Sequence, residues 1–412
     1  MFLFFRLTLL FTVAAVTSSA VDAPRTWDGP GFRPVTTERV ATLPAAEQAP
    51  WLAYLAESAR RRALDEAQVA AELTQVGQPK LTQPAAGRSA DLPLKNEEAW
   101  YSTAEARTLA DRVISYQTPA GGWSKSLTFT QLRAPGEDFG RETRFRGTFD
   151  NNATLPPLRF LARVAHAAGP GTSAYREAFT RGLAYVLAAQ FPNGGWPQIY
   201  PLSGGYHDSL TFNDNVMPNI LEFLRETATG AGAFASVAPE LRAEAARALE
   251  RGIACVLATQ VNVNGVRTAW GQQHDALTLQ PCAARNYEPI SLCSAESAKI
   301  TRFLMSVQPR PPEIVQAVEA AAAWMDRTKL MGFAWTDPDG QGRRLVPTPG
   351  AGPLWSRLYE IGTDKPIFGD RDKSIHYAIE AVSRERRDGY SWFDNEPAQV
   401  LKRLAAWRNG TP

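Results

Sequence analysis

Apolar residues recur at helical spacing through residues 51–73, in an Ala- and Arg-rich stretch, and give way to a polar linker over 77–90. Beyond residue 97 the pattern becomes regular. Ser102 and Glu105 form a capping box for a helix ending near Gln117, followed by YQTPAGGWSK. Apolar periodicity predicts further helices over 154–168 and 173–190, the second followed by AQFPNGGWPQ, and a long one over 241–260 followed by TQVNVNGVRTAWGQQ. Trp123, Trp196 and Trp270 stand 73 and 74 residues apart, the mark of an internal repeat. Each repeat reads as a helical hairpin with a glycine-rich loop always at the same end. Hairpins of this kind bury their apolar faces only against one another. The expected fold is therefore dominated by α-helix: a short (α/α)3 toroid with long loops, a few short strands, and the loops gathered at one mouth. After Trp335 the pattern turns to short extended pieces, then to closing helices over 372–386 and 396–407.

Residues 1–20, MFLFFRLTLLFTVAAVTSSA, hold one Arg, no acid and an apolar run too short to span a bilayer. They read as a secretory signal cut near Ala20 or Ala23, so the protein is expected outside the cytoplasm, secreted or periplasmic, and off the membrane once cut. This divides the chain into a signal (1–20), an N-terminal helical segment with its linker (21–90), and a catalytic part (91–412). Composition adds a negative: with 44 Lys and Arg against 42 Asp and Glu, no bulk charge points to nucleic acid. The three cysteines, Cys255, Cys282 and Cys293, allow either three reduced thiols or a bridge between Cys282 and Cys293. Neither CxxC nor a His partner at zinc spacing is present.

The first two repeats continue alike, into GTFDNNAT and LTFNDNVM, bringing Asp150 and Asp214 to one rim beside Tyr200, Tyr206 and Phe212. Taken one at a time, each Asp reads as a helix cap and each Trp as a plug beneath its loop. Together they suit a carbohydrate groove, where rings stack on sugars and carboxylate and amide oxygens are hard ligands for calcium. The third loop, PCAARNYEPISLC, places Arg285, Tyr287 and Glu288 where the first two place acids, and Arg343, Arg344 and Arg357 follow. Carboxylates facing guanidinium groups suit an anionic substrate bridged by a cation. Arg344 reads as a surface charge. Inverting hydrolysis by Asp150 and Asp214 and calcium-dependent uronate binding without turnover remain open on these residues.

The series TFDNNAT, NGGWPQIYP, TFNDN, TAWGQQHD, ARNYEP, GPLWSRLYEIG and PIFGDRD, spanning about residues 97–400, resembles the family 10 polysaccharide lyases, which are pectate lyases. The resemblance implies an α/α toroid, dependence on calcium (Ca2+), a polygalacturonate substrate, and an arginine as base. Carried over motif by motif, it implies Asp150 and Asp214 as calcium carboxylates, with Asn151 assisting, and Arg285 as the base. Arg357 and Arg343 become the clamp on the uronate carboxylate, and Lys125, Tyr287 and Trp196 substrate contacts. Relatives often carry a second acid after Asp214, whereas Asn215 here lowers the charge at the cation. The protein is expected to act as a monomer. An arginine base is chemically demanding, because its aqueous pKa lies above about 12. Burial and neighbouring cations are expected to bring it down.

Overall fold

The computed structural model describes residues 25–27, 31–87, 91–169 and 173–410. The expected signal, with its cleavage points at Ala20 or Ala23, lies outside them. The helices are α1 (Thr37–Val40), α2 (Ala45–Val76), α3 (Ala104–Ser115), α4 (Leu155–Ala167), α5 (Ser173–Ala188) and α6 (Val216–Thr229). They continue as α7 (Pro239–Thr259), α8 (Ser294–Met305), α9 (Pro312–Thr328), α10 (Arg384–Gly389) and α11 (Glu396–Arg408). Strands are two to four residues long, and the architecture is helix-dominated as expected.

The helices alternate between two layers. α3, α5, α7 and α9 adjoin in chain order, as do α4, α6, α8 and α11, while α4 packs on α5, α6 on α7 and α8 on α9. Each member of the first layer runs into a tryptophan loop. Trp123, Trp196, Trp270 and Trp355 are all completely buried, and each indole Nε1 donates 2.8–2.9 Å to a backbone carbonyl of the helix before it, that of Val113, Val186, Val256 or Met325. Trp355 is a fourth member that the spacing of the first three does not reveal. Gln117, Gln190 and Gln260 tie the first three loops down further. Gln190 Nε2, for example, donates both to Gly194 O within its loop and to Ala248 O of α7. The loops are thus stapled at equivalent points, and every following segment leaves its staple in the same direction.

Several elements differ from expectation. The cap of α3 is Thr103, which accepts from Ala106 N, rather than Ser102. Ser102 instead closes a short 3-10 turn, and Glu105 accepts from Trp100 Nε1. The helix expected over 372–386 is largely absent. Asp372 accepts from both the backbone and hydroxyl of Ser374, local bonds that compete with a helix, and Ser374–His376 pairs as a strand with Phe368–Gly369. The cysteines are all free: Cys282 pairs within the sheet of Gln273–His274, and Cys293 within that of Leu358–Tyr359, so they are held on separate sheets.

The N-terminal segment packs into the same core. Trp51 and Tyr54 of α2 meet the ring of Phe191, and Asp65 accepts from Ala120 N at 2.7 Å. The linker bridges to the loops through Thr82 with Glu137 and Ala86 with Leu127.

Candidate active site

Turns of 3-10 helix at Asp150–Asn152 and Asn213–Asn215 lead into α4 and α6. Neither acid caps its helix, since no side-chain cap bond forms at either start. Instead the turns pass through the left-handed region at Asn151, Asn152, Asp214 and Asn215. Asn and Asp tolerate that conformation best among residues with a side chain. The side chains of Asp150, Asn151, Asn213 and Asp214 line a cavity of about 310 Å3.

Asp150 is buried and accepts from Lys125 Nζ (2.5 Å) and Gln198 Nε2 (2.8 Å). Its carboxylate also shares a hydrogen bond with that of Asp214, which accepts from Asn213 Nδ2 at 2.9 Å. Burial pushes both carboxyls up. At Asp150 the bond to Asp214 and the Lys125 charge outweigh burial and hold it low, whereas the Asp150 carboxylate adds to burial at Asp214 and takes it to about 7. Asp214 is thus the member of the pair that more readily takes up a proton. Inverting hydrolysis needs its carboxyl groups about 6.5–9.5 Å apart, and a retaining mechanism about 5 Å. Carboxyls bonded to each other leave no room for that chemistry.

The same cavity carries two guanidinium groups, those of Arg285 and Arg357. Arg357 donates to Glu296 Oε1 (2.6 Å) and Asn213 Oδ1 (3.3 Å), with its buried Nε unpartnered. Arg285 is gripped by Glu288 through Nε to Oε2 (2.7 Å) and Nη2 to Oε1 (2.5 Å). Tyr390 and Gln272 hold Glu288 in turn. Burial lowers the pKa of Arg285, but the Glu288 bonds and charge overcome it, and the net shift is upward. This reverses the sequence expectation: the neighbour that decides is an anion.

Of the expected site residues, Asp150, Asp214, Asn151, Lys125, Arg285 and Arg357 line the one cavity. Three do not. Trp196 is wholly buried as a loop plug and offers no face to a sugar. Tyr287 lies behind Arg285, its ring against the guanidinium groups of Arg285 and Arg386. Arg343 is exposed beside the hairpin of Phe333–Thr336 and Arg344–Pro347, its backbone N bonded to Asp388. Gln198, Gln272, Glu296, His207 and Tyr390 were not expected. Four polar contacts share a simple address: Lys125, Gln198, Gln272 and Arg357 each stand two residues after a buried tryptophan.

Residues 117–401 match the family model for pectic acid lyase. Among solved structures the chain is similar to a family 10 polysaccharide lyase from Cellvibrio cellulosa, with 37% identity, 77% of this chain and 96% of that one covered, and a TM-score of 0.66. It is likewise similar to a mutant of that lyase in complex with trigalacturonic acid, with 36% identity, 79% and 99% covered, and a TM-score of 0.66. Comparison with curated proteins finds no match.

Proposed function

The chain belongs to the pectic acid lyase family and is a pectate lyase, and on that premise we propose how its residues divide the work: Asp150 and Asp214 hold calcium, Arg357 binds a uronate carboxylate, and Arg285 removes the C5 proton of 4-linked polygalacturonate. The observation that carries this reading is a single cavity lined by both the Asp150 and Asp214 carboxylates and the Arg285 and Arg357 guanidinium groups.

The donor set fits calcium. The Asp150 and Asp214 carboxylates are joined in the cavity by Gln198 Oε1, buried without a partner, and all are hard oxygens. Among the described residues no group of three or more His, Cys, Asp or Glu forms a metal site, so amide oxygens, water and substrate would complete the shell. Bound there, calcium neutralises the substrate carboxylate and acidifies the neighbouring C5 proton.

Arg285 must lose a proton before it can take one. Glu288 Oε1, 2.5 Å from Nη2, is placed to receive it. That transfer leaves a neutral guanidine beside a neutral carboxylic acid, and a substrate that seals the cavity from water favours it over two opposite charges. The guanidine then takes the C5 proton, the C5–H electron pair becomes the C4–C5 double bond, and the C4–O bond breaks with its electrons going to the leaving oxygen, which is protonated by solvent while Glu288 gives its proton back to solvent and the ion pair is restored. Arg357 holds the carboxylate on which charge develops. The reading extends to an exported monomer whose catalytic part is residues 91–412.

The test follows ultraviolet absorbance of the unsaturated product on polygalacturonate. Chelation should abolish it, and calcium but not magnesium should restore it. Full activity in excess chelator would remove Asp150 and Asp214 from their roles.

A further inference from the structure

Residues 25–27 and 31–39 precede the stretch matched to the family, yet Trp27 and Gly31 among them bond to the loop that carries Arg285. Arg25–Thr26 joins the strand Ser374–His376 as an antiparallel partner, and Trp27 N continues the pairing to Lys373 O at 3.2 Å. The chain then touches the Arg285 loop on both flanks. Trp27 Nε1 donates to Asn286 O (3.2 Å), one residue after the arginine, and Gly31 O accepts from Ala283 N (2.7 Å), two residues before it. Phe32 meets Tyr206, a ring of the cavity wall, edge-on at 6.3 Å. Arg39 fixes the end of the segment through two bonds to Asp275, at 2.9 and 2.7 Å.

The fit at the crossing is tight. A Cβ on Gly31 would come within 2.4 Å of Ala283 Cβ and 2.5 Å of the Trp27 ring. From the other side Gly369 abuts the backbone of Tyr287, where a Cβ would meet the carbonyl oxygen at 2.4 Å. The Arg285 loop is therefore clasped between the N-terminal arm and the strand Phe368–Gly369. Its own bond to Glu288 orients the guanidinium within the loop and Gln272 links Glu288 to Asn213, while the contacts of the arm hold the loop's backbone on either side of Arg285.

We propose that Trp27 is a positioning residue for the elimination: with Gly31 it straps the backbone on either side of Arg285 and so sets the distance from Arg285 to the sugar. The proposal rests on Arg285 as the base. Misplacing a reacting group by about 1 Å costs on the order of a hundredfold in rate. Loosening the strap should therefore act on turnover, whereas carboxylate and aromatic contacts to the substrate stay in place.

The experiment measures kcat and KM on polygalacturonate, at saturating calcium, for full-length Trp27→Ala, Gly31→Ala, Trp27→Phe and Arg285→Lys, with folding followed by circular dichroism. Trp27→Ala and Gly31→Ala should each lose about tenfold or more in kcat with KM within about twofold. Trp27→Phe keeps an aromatic ring but drops the indole donor to Asn286 O, and should lose kcat in the same direction as Trp27→Ala. If Trp27→Ala fails to fold, Gly31→Ala, which retains the indole but forces it and Ala283 apart, decides by the same criterion. Folded variants with kcat within about twofold of the parent, beside an inactive Arg285→Lys, overturn the strap and leave the base standing. A rise in KM alone assigns the arm to binding and also overturns it. Turnover surviving in Arg285→Lys overturns the base, and with it the strap's role in catalysis.

Discussion

Asp214 occupies the same step of the repeat as Asn151, not as Asp150. Asp214 and Asn151 share the left-handed backbone, at φ 52° and 50°, while Asp150 and Asn213 share a glutamine donor two residues after the next tryptophan, Gln198 to Asp150 at 2.8 Å and Gln272 to Asn213 at 2.5 Å. The two acids are therefore staggered, one from each step, and their carboxylates meet.

The stagger predicts that Asn151→Asp is accommodated, because the backbone there already suits an aspartate one repeat later. It adds a third carboxylate at the cavity, and calcium affinity should rise roughly tenfold, while Asp214→Asn should lower it by at least as much. Calcium titration of activity reads both. Unchanged affinity in Asn151→Asp would place the cation elsewhere.

Glu288→Gln separates two ways of using Arg285. If Glu288 only hinders the base by holding it charged, its removal lowers the Arg285 pKa and raises turnover at alkaline pH. If Glu288 receives the guanidinium proton, turnover falls by about a hundredfold or more at every pH. A kcat profile from neutral to strongly alkaline pH should show the fall and no alkaline gain.

Trp196→Phe should leave KM for polygalacturonate within about twofold and reduce stability by about 1–3 kcal/mol, from a lost buried hydrogen bond and a cavity beneath the loop. Urea denaturation beside steady-state kinetics makes the measurement. A large KM change with full stability would return Trp196 to the substrate face.

The contrast between Trp196 and Gln198 marks what was legible in the sequence. Helix positions followed from apolar periodicity, and the acids from their repeated motif, since both depend on local pattern. Whether an aromatic faces a sugar or the core depends on which way the loop is stapled, and that is set by Gln190 reaching across to α7. Glu296 was missed for a related reason: it stands in the first turn of α8, in SLCSAES, a segment without the TF-Asp-Asn pattern of its counterparts. The Arg285 pKa failed in sign because the sequence lists Glu288 among the neighbours without its two-bond geometry. The tryptophan-plus-two rule was present in the sequence and would have named Gln198 and Gln272.

Acid should loosen the third loop. Burial outweighs the backbone bonds of His274 and lowers its pKa to about 4; Gly271 N donates to its Nε2 at 3.0 Å, so the folded state requires that nitrogen unprotonated. Unfolded, the ring takes up its proton near pH 6.5. Between those values the unfolded chain binds more protons, so stability is complete above about pH 6.5 and is lost as pH falls towards about 4. Melting temperature should decline over that interval, and His274→Gln should flatten part of the decline. A flat profile in the parent would reject the assignment.

The buried indoles also govern how errors spread. Each polar contact at the mouth is dimensioned from its own tryptophan rather than from the contact before it. The chain takes 73 and 74 residues between the first three indoles and 85 before the fourth, yet Arg357 reaches Asn213 as Lys125 reaches Asp150. Tolerances do not accumulate along such a frame. Lengthening a connection between two indoles is a local event, whereas the four mouth positions answer to one another in pairs, Lys125 with Gln198 on Asp150 and Gln272 with Arg357 on Asn213, so charge and reach there are best altered a pair at a time without redesigning the scaffold.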